Sequence, residues 1–345
     1  MIAYWAMFIV AAIGVFAPRL PKRQSTWMWF LVGAGFAVIM GFRHEVGADW
    51  FNYEAHFHRV AVLDAREVLA QGDPAYYLLN WLMARVGADV HWVNALCAAI
   101  LALGTVALCR IQPSPWLALL AAVPYLLVVV GMGYTRQSAA LGLVMLGLAY
   151  LSRGRTLAFV LLVAAGALFH KSAVLLLPVA ALAASRHRWL TAGLVLLVTA
   201  TLYYLLLDDS AERLWVSYVE ARLESEGAAV RIAMNAVPAT VLLVFARRLV
   251  PDAAERRLWC WMAVLALACI PLTAFASTAV DRVALYLIPL QMFVFSRLPL
   301  LSASPRDRAP LVVGLMAYFA AVLFTWLNFA SHAPYWLPYR FMPLG

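Results

Sequence analysis

The chain of 345 residues is 65% hydrophobic and only 12% charged, with a mean hydropathy of +0.84. A soluble fold cannot bury that much apolar surface and still cover itself with polar groups, so composition excludes a water-soluble globule. The formal charge of +9 sits in short loops between apolar blocks, which argues for membrane topology and against a nucleic-acid-binding face.

In chain order, the apolar blocks predict an all-α, polytopic membrane protein with about twelve spans. The first, 2–17, lacks a basic n-region and a small-residue cleavage site, and reads as a retained helix rather than a signal peptide. A second span, 26–42, leads into a longer polar segment, 43–89. Within it, Pro74 to Val86 is apolar but would reach only about 20 Å as a helix, so it reads as interfacial or re-entrant. Spans follow at 90–109, 116–133 and 135–151, and then at 156–169 and 172–185, split by His170-Lys171-Ser172. The next span, 190–207, precedes a second polar segment, 208–231, which reads as an amphipathic helix lying in the membrane interface. The last spans are 232–246, 258–277, 282–296 and 310–329. One transmembrane domain over 1–345 is expected, with 43–89 and 208–231 on its outer face.

With the N-terminus outside, the inner connections hold fifteen of the 26 Lys and Arg residues but only Asp252, Glu255 and Asp307 of the 17 carboxylates. The inner side then carries +12 and the outer side −3, the asymmetry that the positive-inside rule demands. Letting Pro74–Val86 span would turn the cationic loops outward. The four cysteines, Cys97, Cys109, Cys260 and Cys269, lie inside apolar runs without paired spacing, and read as small core residues.

Four polar clusters converge on the outer side, each at the end of an apolar span: Arg43-His44-Glu45 with Asp49 and Tyr53, then Tyr134-Thr135-Arg136-Gln137-Ser138, His170-Lys171-Ser172, and Asp281-Arg282 with Tyr286. Ionisable groups near membrane depth are costly and tend to mark function. Against that, Arg43 reads as well as a snorkelling rim residue, Asp49 as the N-cap of a helix starting at Trp50, and Asp281-Arg282 as an ion pair closing a helix end. His170 and Lys171 have no topological task in mid-run. His56 and His58 are two apart, which on a helix points them to different faces, so no metal site is assigned.

The ordered segments GFRHEVGADWFNY, YTRQSAALGL, FHKSAVLLLP, DRVALYLIP and YWLPY together resemble the EpsG family of exopolysaccharide polymerases, similar in role to Wzy-type repeat-unit polymerases. The positions matching the family's polar pattern are Arg43, Gly47, Asp49, Tyr53, Arg136, His170, Ser172, Arg282 and Tyr286, with Glu45 and Lys171 inside the pattern. The resemblance implies a membrane glycosyltransferase, of GT-C-like architecture, in the cytoplasmic membrane of a bacterium with its site facing outward. It would join undecaprenyl-pyrophosphate-linked oligosaccharides, without a cofactor or an obligatory metal, alongside the bilayer and a chain-length regulator as partners. Such chemistry needs a base near the acceptor hydroxyl and positive charge for the departing pyrophosphate. Asp49 is the favoured base, with His170 behind it. Arg43, Arg136 and Arg282 are the expected pyrophosphate ligands, Lys171 an auxiliary charge, and Glu45, Tyr53 and Tyr286 the expected sugar-binding groups.

Three rivals remain on sequence grounds. A lipid-oligosaccharide flippase would place charges near span centres and show repeated halves, and neither is seen. A membrane acyltransferase would pair an embedded His with a nearby Asp. A glycosyltransferase using a sugar on lipid monophosphate would bind metal through Glu45 and Asp49.

Overall fold

The computed structural model describes residues 1–18, 20–183, 188–206, 227–302 and 304–342. These are overwhelmingly helical, and no named strand occurs among them. Most of the expected amphipathic segment, 208–231, lies outside the described residues.

Two helices open the chain, α1 (Ile2–Val15) and α2 (Lys22–Gly41). The polar segment 43–89 then folds into α3 (Trp50–Ala61), α4 (Ala65–Leu69) and α5 (Pro74–Arg85). α3 buries Trp50, Tyr53, Phe57 and Val60 along one face, at helical spacing. That stripe packs with Val68, Tyr76 and Tyr77 into a small core of its own, roofing the start of α6 (Val90–Arg110). α4 starts with a capping box in which Asp64 and Glu67 bond each other's main-chain N–H. The predicted short helix is α5; at 12 residues it is too short to cross a bilayer unaided.

At the centre stands α7 (Pro115–Gly133), almost entirely buried. Its residues Val123–Val130 form a π-helical stretch beginning beside Pro124, whose missing N–H breaks the regular ladder. α8 (Thr135–Leu151), α9 (Thr156–Phe169), α10 (Lys171–Ala183) and α11 (Arg188–Leu206) follow. α6 and α8 touch backbone to backbone: a Cβ on Gly104 would lie 1.9 Å from the Gly142 carbonyl oxygen. α12 (Ala228–Leu249) packs along α13 (Ala253–Leu285). A break follows before α14 (Pro289–Arg297), with the two axes bent by 52°. Asn235 donates to the Ala284 carbonyl at this break and accepts from Gln291, so its buried amide is partnered at both ends inside the bundle. α15 (Pro305–Phe329) ends in a tail returning to the loop after α2.

Among the described residues six helices are long and apolar enough to cross a membrane, seven if the bent pair counts as one span; the protein is a multi-pass membrane protein. One end gathers basic groups: Arg110 and Arg153 line one cavity there, and Arg297 bonds Glu255 at 2.9 Å. The opposite end carries residues 43–89 and the candidate site.

Candidate functional site

The loop after α2 is fixed by Arg43, which is 1% exposed. Its guanidinium donates Nε to the Val46 carbonyl (3.0 Å), Nη1 to the Met40 carbonyl (2.7 Å) and Nη2 to Thr135 Oγ1 (2.8 Å). Thr135 in turn donates to Asn94. Gly47 follows at φ +105°, and a Cβ there would lie 2.3 Å from the Met132 carbonyl oxygen. This close approach brings Asp49 beside the α7–α8 junction.

Asp49 occupies the N-cap position of α3, but its carboxylate caps no main-chain N–H; among the described residues it accepts from Asn52 Nδ2 alone, at 3.3 Å. Helix capping therefore does not explain its side chain. Arg136 stands in the first turn of α8, where the helix dipole is positive, after Tyr134 breaks the path from α7. His170 is extended (φ −156°, ψ 111°) at the joint between α9 and α10. Arg282 lies in the last turn of α13.

These four side chains meet. With Asn52, Tyr53, His56, Tyr134 and Gln137 they line a predominantly polar cavity of about 180 Å³. That is below the usual 300–1,000 Å³ of a small-ligand pocket, so it can take the reacting end of a large substrate rather than the whole.

Each cavity group has a distinct setting. Ser172 Oγ sits 2.7 Å from His170 Nδ1 and 3.3 Å from the Tyr286 hydroxyl, so one imidazole nitrogen is held from behind. Burial, reinforced by Arg282, Arg136 and Lys171, pushes the imidazole down to about 3. His170 is thus neutral at any physiological pH. Burial lowers His56 as well, helped by Arg136 and Arg59. Arg282 makes no side-chain hydrogen bond among the described residues, and its Nε is buried without a partner. Gln137 donates to the Arg282 carbonyl, leaving its own buried Oε1 without a partner. An uncommitted guanidinium beside a small polar cavity is suited to an anion absent from the folded chain itself.

Four expected site residues stand outside the cavity. Arg43 is committed to two carbonyls and a hydroxyl, so it organises the loop instead of facing substrate. Glu45 is left-handed (φ 51°) and ion-paired with Arg340 of the C-terminal tail. Tyr286 is fully buried behind Ser172. Lys171 lines no wall of this cavity; its main-chain N–H points to Asp73. The expected Asp281–Arg282 pair is also replaced: Asp281 takes Arg231 side-on, at 2.5 and 2.7 Å.

Asp73 was missed. It reads in sequence as the residue capping a helix that begins with Pro74, yet its side chain caps nothing there. It is 5% exposed and accepts from Arg136 Nη1 at 2.8 Å. The available signal was the outer charge balance: an arginine at membrane depth requires a counter-charge, and Asp73 opens the apolar helix nearest the outer surface.

The EpsG family model matches residues 26–341. The chain belongs to the EpsG family. No curated protein and no solved structure matches it. The cavity residues all fall inside the matched span, and the family fits a role in polysaccharide polymerisation.

Proposed function

We propose that this EpsG-family protein is a glycosyltransferase that polymerises undecaprenyl-pyrophosphate-linked oligosaccharide repeats on the outer face of a bacterial cytoplasmic membrane. The observation that carries this reading is the meeting of Asp49, Arg136, His170 and Arg282 around one small polar cavity. A hydroxyl of one repeat attacks the anomeric carbon of another. The new glycosidic C–O bond forms as the anomeric C–O bond to pyrophosphate breaks, the electron pair leaving with the lipid pyrophosphate. The hydroxyl proton passes to Asp49.

Asp49 suits the base better than His170, because its carboxylate faces the cavity with Asn52 as its hydrogen-bond partner, whereas Ser172 already holds a nitrogen of the His170 imidazole from behind. His170 remains a neutral hydrogen-bonding group for a sugar hydroxyl. Arg282 grips the departing pyrophosphate and Arg136 stands beside it; a planar guanidinium binds phosphate oxygens in pairs and stays charged in a dry site. Tyr53 lines the wall where a sugar ring would sit. The rival reading, in which Glu45 and Asp49 share a metal, loses support because Glu45 pairs with Arg340 and lines no part of the cavity.

We also propose twelve crossings. The seven long spans leave Ile2–Val15, Thr156–Phe169, Lys171–Ala183 and Trp189–Leu205 as shorter apolar helices. Thr135–Leu151 makes the twelfth. A GT-C-like arrangement and a chain-length regulator as partner belong to the same proposal.

The test is the chain length of lipid-linked glycans in cells with and without the protein. Loss of polymer with accumulation of single lipid-linked repeats is expected. Absence of both would point to an earlier step and remove the polymerase reading. In complemented cells, Arg282→Lys should lose most polymer at normal protein level, because an ammonium cannot reproduce the paired fork.

A further inference from the structure

We propose that Asp73 is a positioning residue that sets the distance between Arg136 and the His170 turn. This deepens the reading of the cavity as a polymerase site and rests on it. The carboxylate has both oxygens in use. Oδ2 accepts from Arg136 Nη1 at 2.8 Å, and Oδ1 accepts from the main-chain N–H of Lys171 at 3.4 Å. One side chain therefore bridges the first turn of α8 to the residue that follows His170. It reaches both from the short connection between α4 and α5, a segment distant from either in sequence.

Several features separate this from an ordinary surface ion pair. Asp73 lines no part of the cavity, so it is not itself a reacting group. Its side chain is only 8% exposed, whereas that of Arg136 is 32% exposed and faces the cavity. The pair is thus anchored at its buried end and presents its cation at the open end. The arginine is steadied further by the Tyr76 ring, 5.9 Å from its guanidinium carbon. Arg282 has no such anchor among the described residues. The two cavity arginines consequently divide the work: Arg136 is pre-oriented, and Arg282 is free to follow the leaving group. Fixing a charge where charge develops in the transition state raises turnover more than ground-state affinity.

Asp73→Asn is the informative substitution. The amide keeps the volume but has one donor and one acceptor end. If its oxygen faces the Lys171 N–H, its NH2 meets the Arg136 guanidinium, donor against donor. If it flips, the clash moves to Lys171. Either way one bridge is broken while the site stays filled.

The experiment uses the full-length protein in detergent with lipid-linked repeats extracted from cells that lack it. We expect Asp73→Asn to keep a near-normal melting temperature and KM within about twofold, and to lose roughly tenfold or more in kcat. The double variant Asp73→Asn/Arg136→Lys should be no worse than Arg136→Lys alone, because both act through one group. Additive losses, or a normal kcat in Asp73→Asn, would overturn the proposal. Failure of the wild-type protein to extend these repeats would instead overturn the polymerase reading. The Asp73 proposal is then decided by calorimetry with inorganic pyrophosphate. Equal weakening by Asp73→Asn and Arg136→Lys supports it, and an affinity unchanged in Asp73→Asn removes it.

Discussion

Arg43 and Asp49 lie in the same loop, and burial divides their work. Arg43 has its guanidinium donors directed inward at the chain's own oxygens, which satisfies a charge that would otherwise be costly to bury. Asp49 is half-buried, accepts from Asn52 and faces the cavity. Because its carboxylate caps no N–H, substituting it should forfeit little of the roughly 0.5–2 kcal/mol that an N-cap can contribute. Both Asp49→Asn and Asp49→Ala should therefore fold normally. As the base, its loss should lower the rate on lipid-linked repeats by about 10²–10⁴-fold, since an amide cannot take the proton. His170→Gln should do less harm and leave the shape of the pH–rate profile unaltered. The sign follows from the imidazole being lowered to about 3: it stays uncharged above that pH and so contributes no titration in the working range. A fully active Asp49→Asn enzyme, or a pH limb abolished by His170→Gln, would transfer the role to the histidine.

At the scale of elements, the polar end is held together by the tail after α15. Trp336 is 2% exposed and donates Nε1 to the Val128 carbonyl in the π-helical stretch of α7. Its own carbonyl accepts from Tyr4, and its ring covers Gly133, where a Cβ would lie 2.8 Å from it. Tyr335 O accepts from Gly47 N, and Arg340 O from His44 N. The tail thus presses the Asp49 loop against the turn that carries Arg136. Trp336→Ala should cost about 3–5 kcal/mol and reduce activity together with the melting temperature. Phe51→Ala, at a side chain 65% exposed, should change neither. An unchanged melting temperature in Trp336→Ala would mean that the tail does not brace the site. The apolar helices, Pro74–Arg85 included, were legible from the apolar blocks, whereas α4 inside the polar segment 43–89 was not. The partners were not. Asp73 and Arg136 are 63 residues apart, and Tyr4 and Trp336 are 332 apart, so no local period or spacing links them. The π-helical stretch and the long, bent α13–α14 pair escaped for a related reason. Apolar composition reports that a segment is buried, whereas the path of its backbone depends on the neighbours that rescue its broken hydrogen bonds.

For the whole molecule, function depends on which end faces out. A base and two arginines can serve an exported, lipid-linked substrate only if the end carrying residues 43–89 is extracytoplasmic. The charge asymmetry of +12 against −3 favours that orientation, because basic loops resist translocation. Cysteine labelling can test it with little background. Cys97, Cys109 and Cys269 are buried, and the half-buried Cys260 can be replaced by Ala. In that background His58→Cys places a thiol on the exposed side of α3, and Arg153→Cys places one at the basic end between α8 and α9. An impermeant maleimide should label His58→Cys in intact cells and reach Arg153→Cys only after the membrane is opened. The reverse pattern would put the cavity on the cytoplasmic side, where the same arginines would face nucleotide-activated precursors and the proposed polymerisation of exported repeats would fail. Labelling of both positions in intact cells would mean an odd number of crossings had been misjudged between them. Between His58 and Arg153 the expected path crosses at α6, α7 and α8, with Pro74–Arg85 kept at the surface. The experiment therefore tests the surface placement of that short helix together with the orientation of the chain.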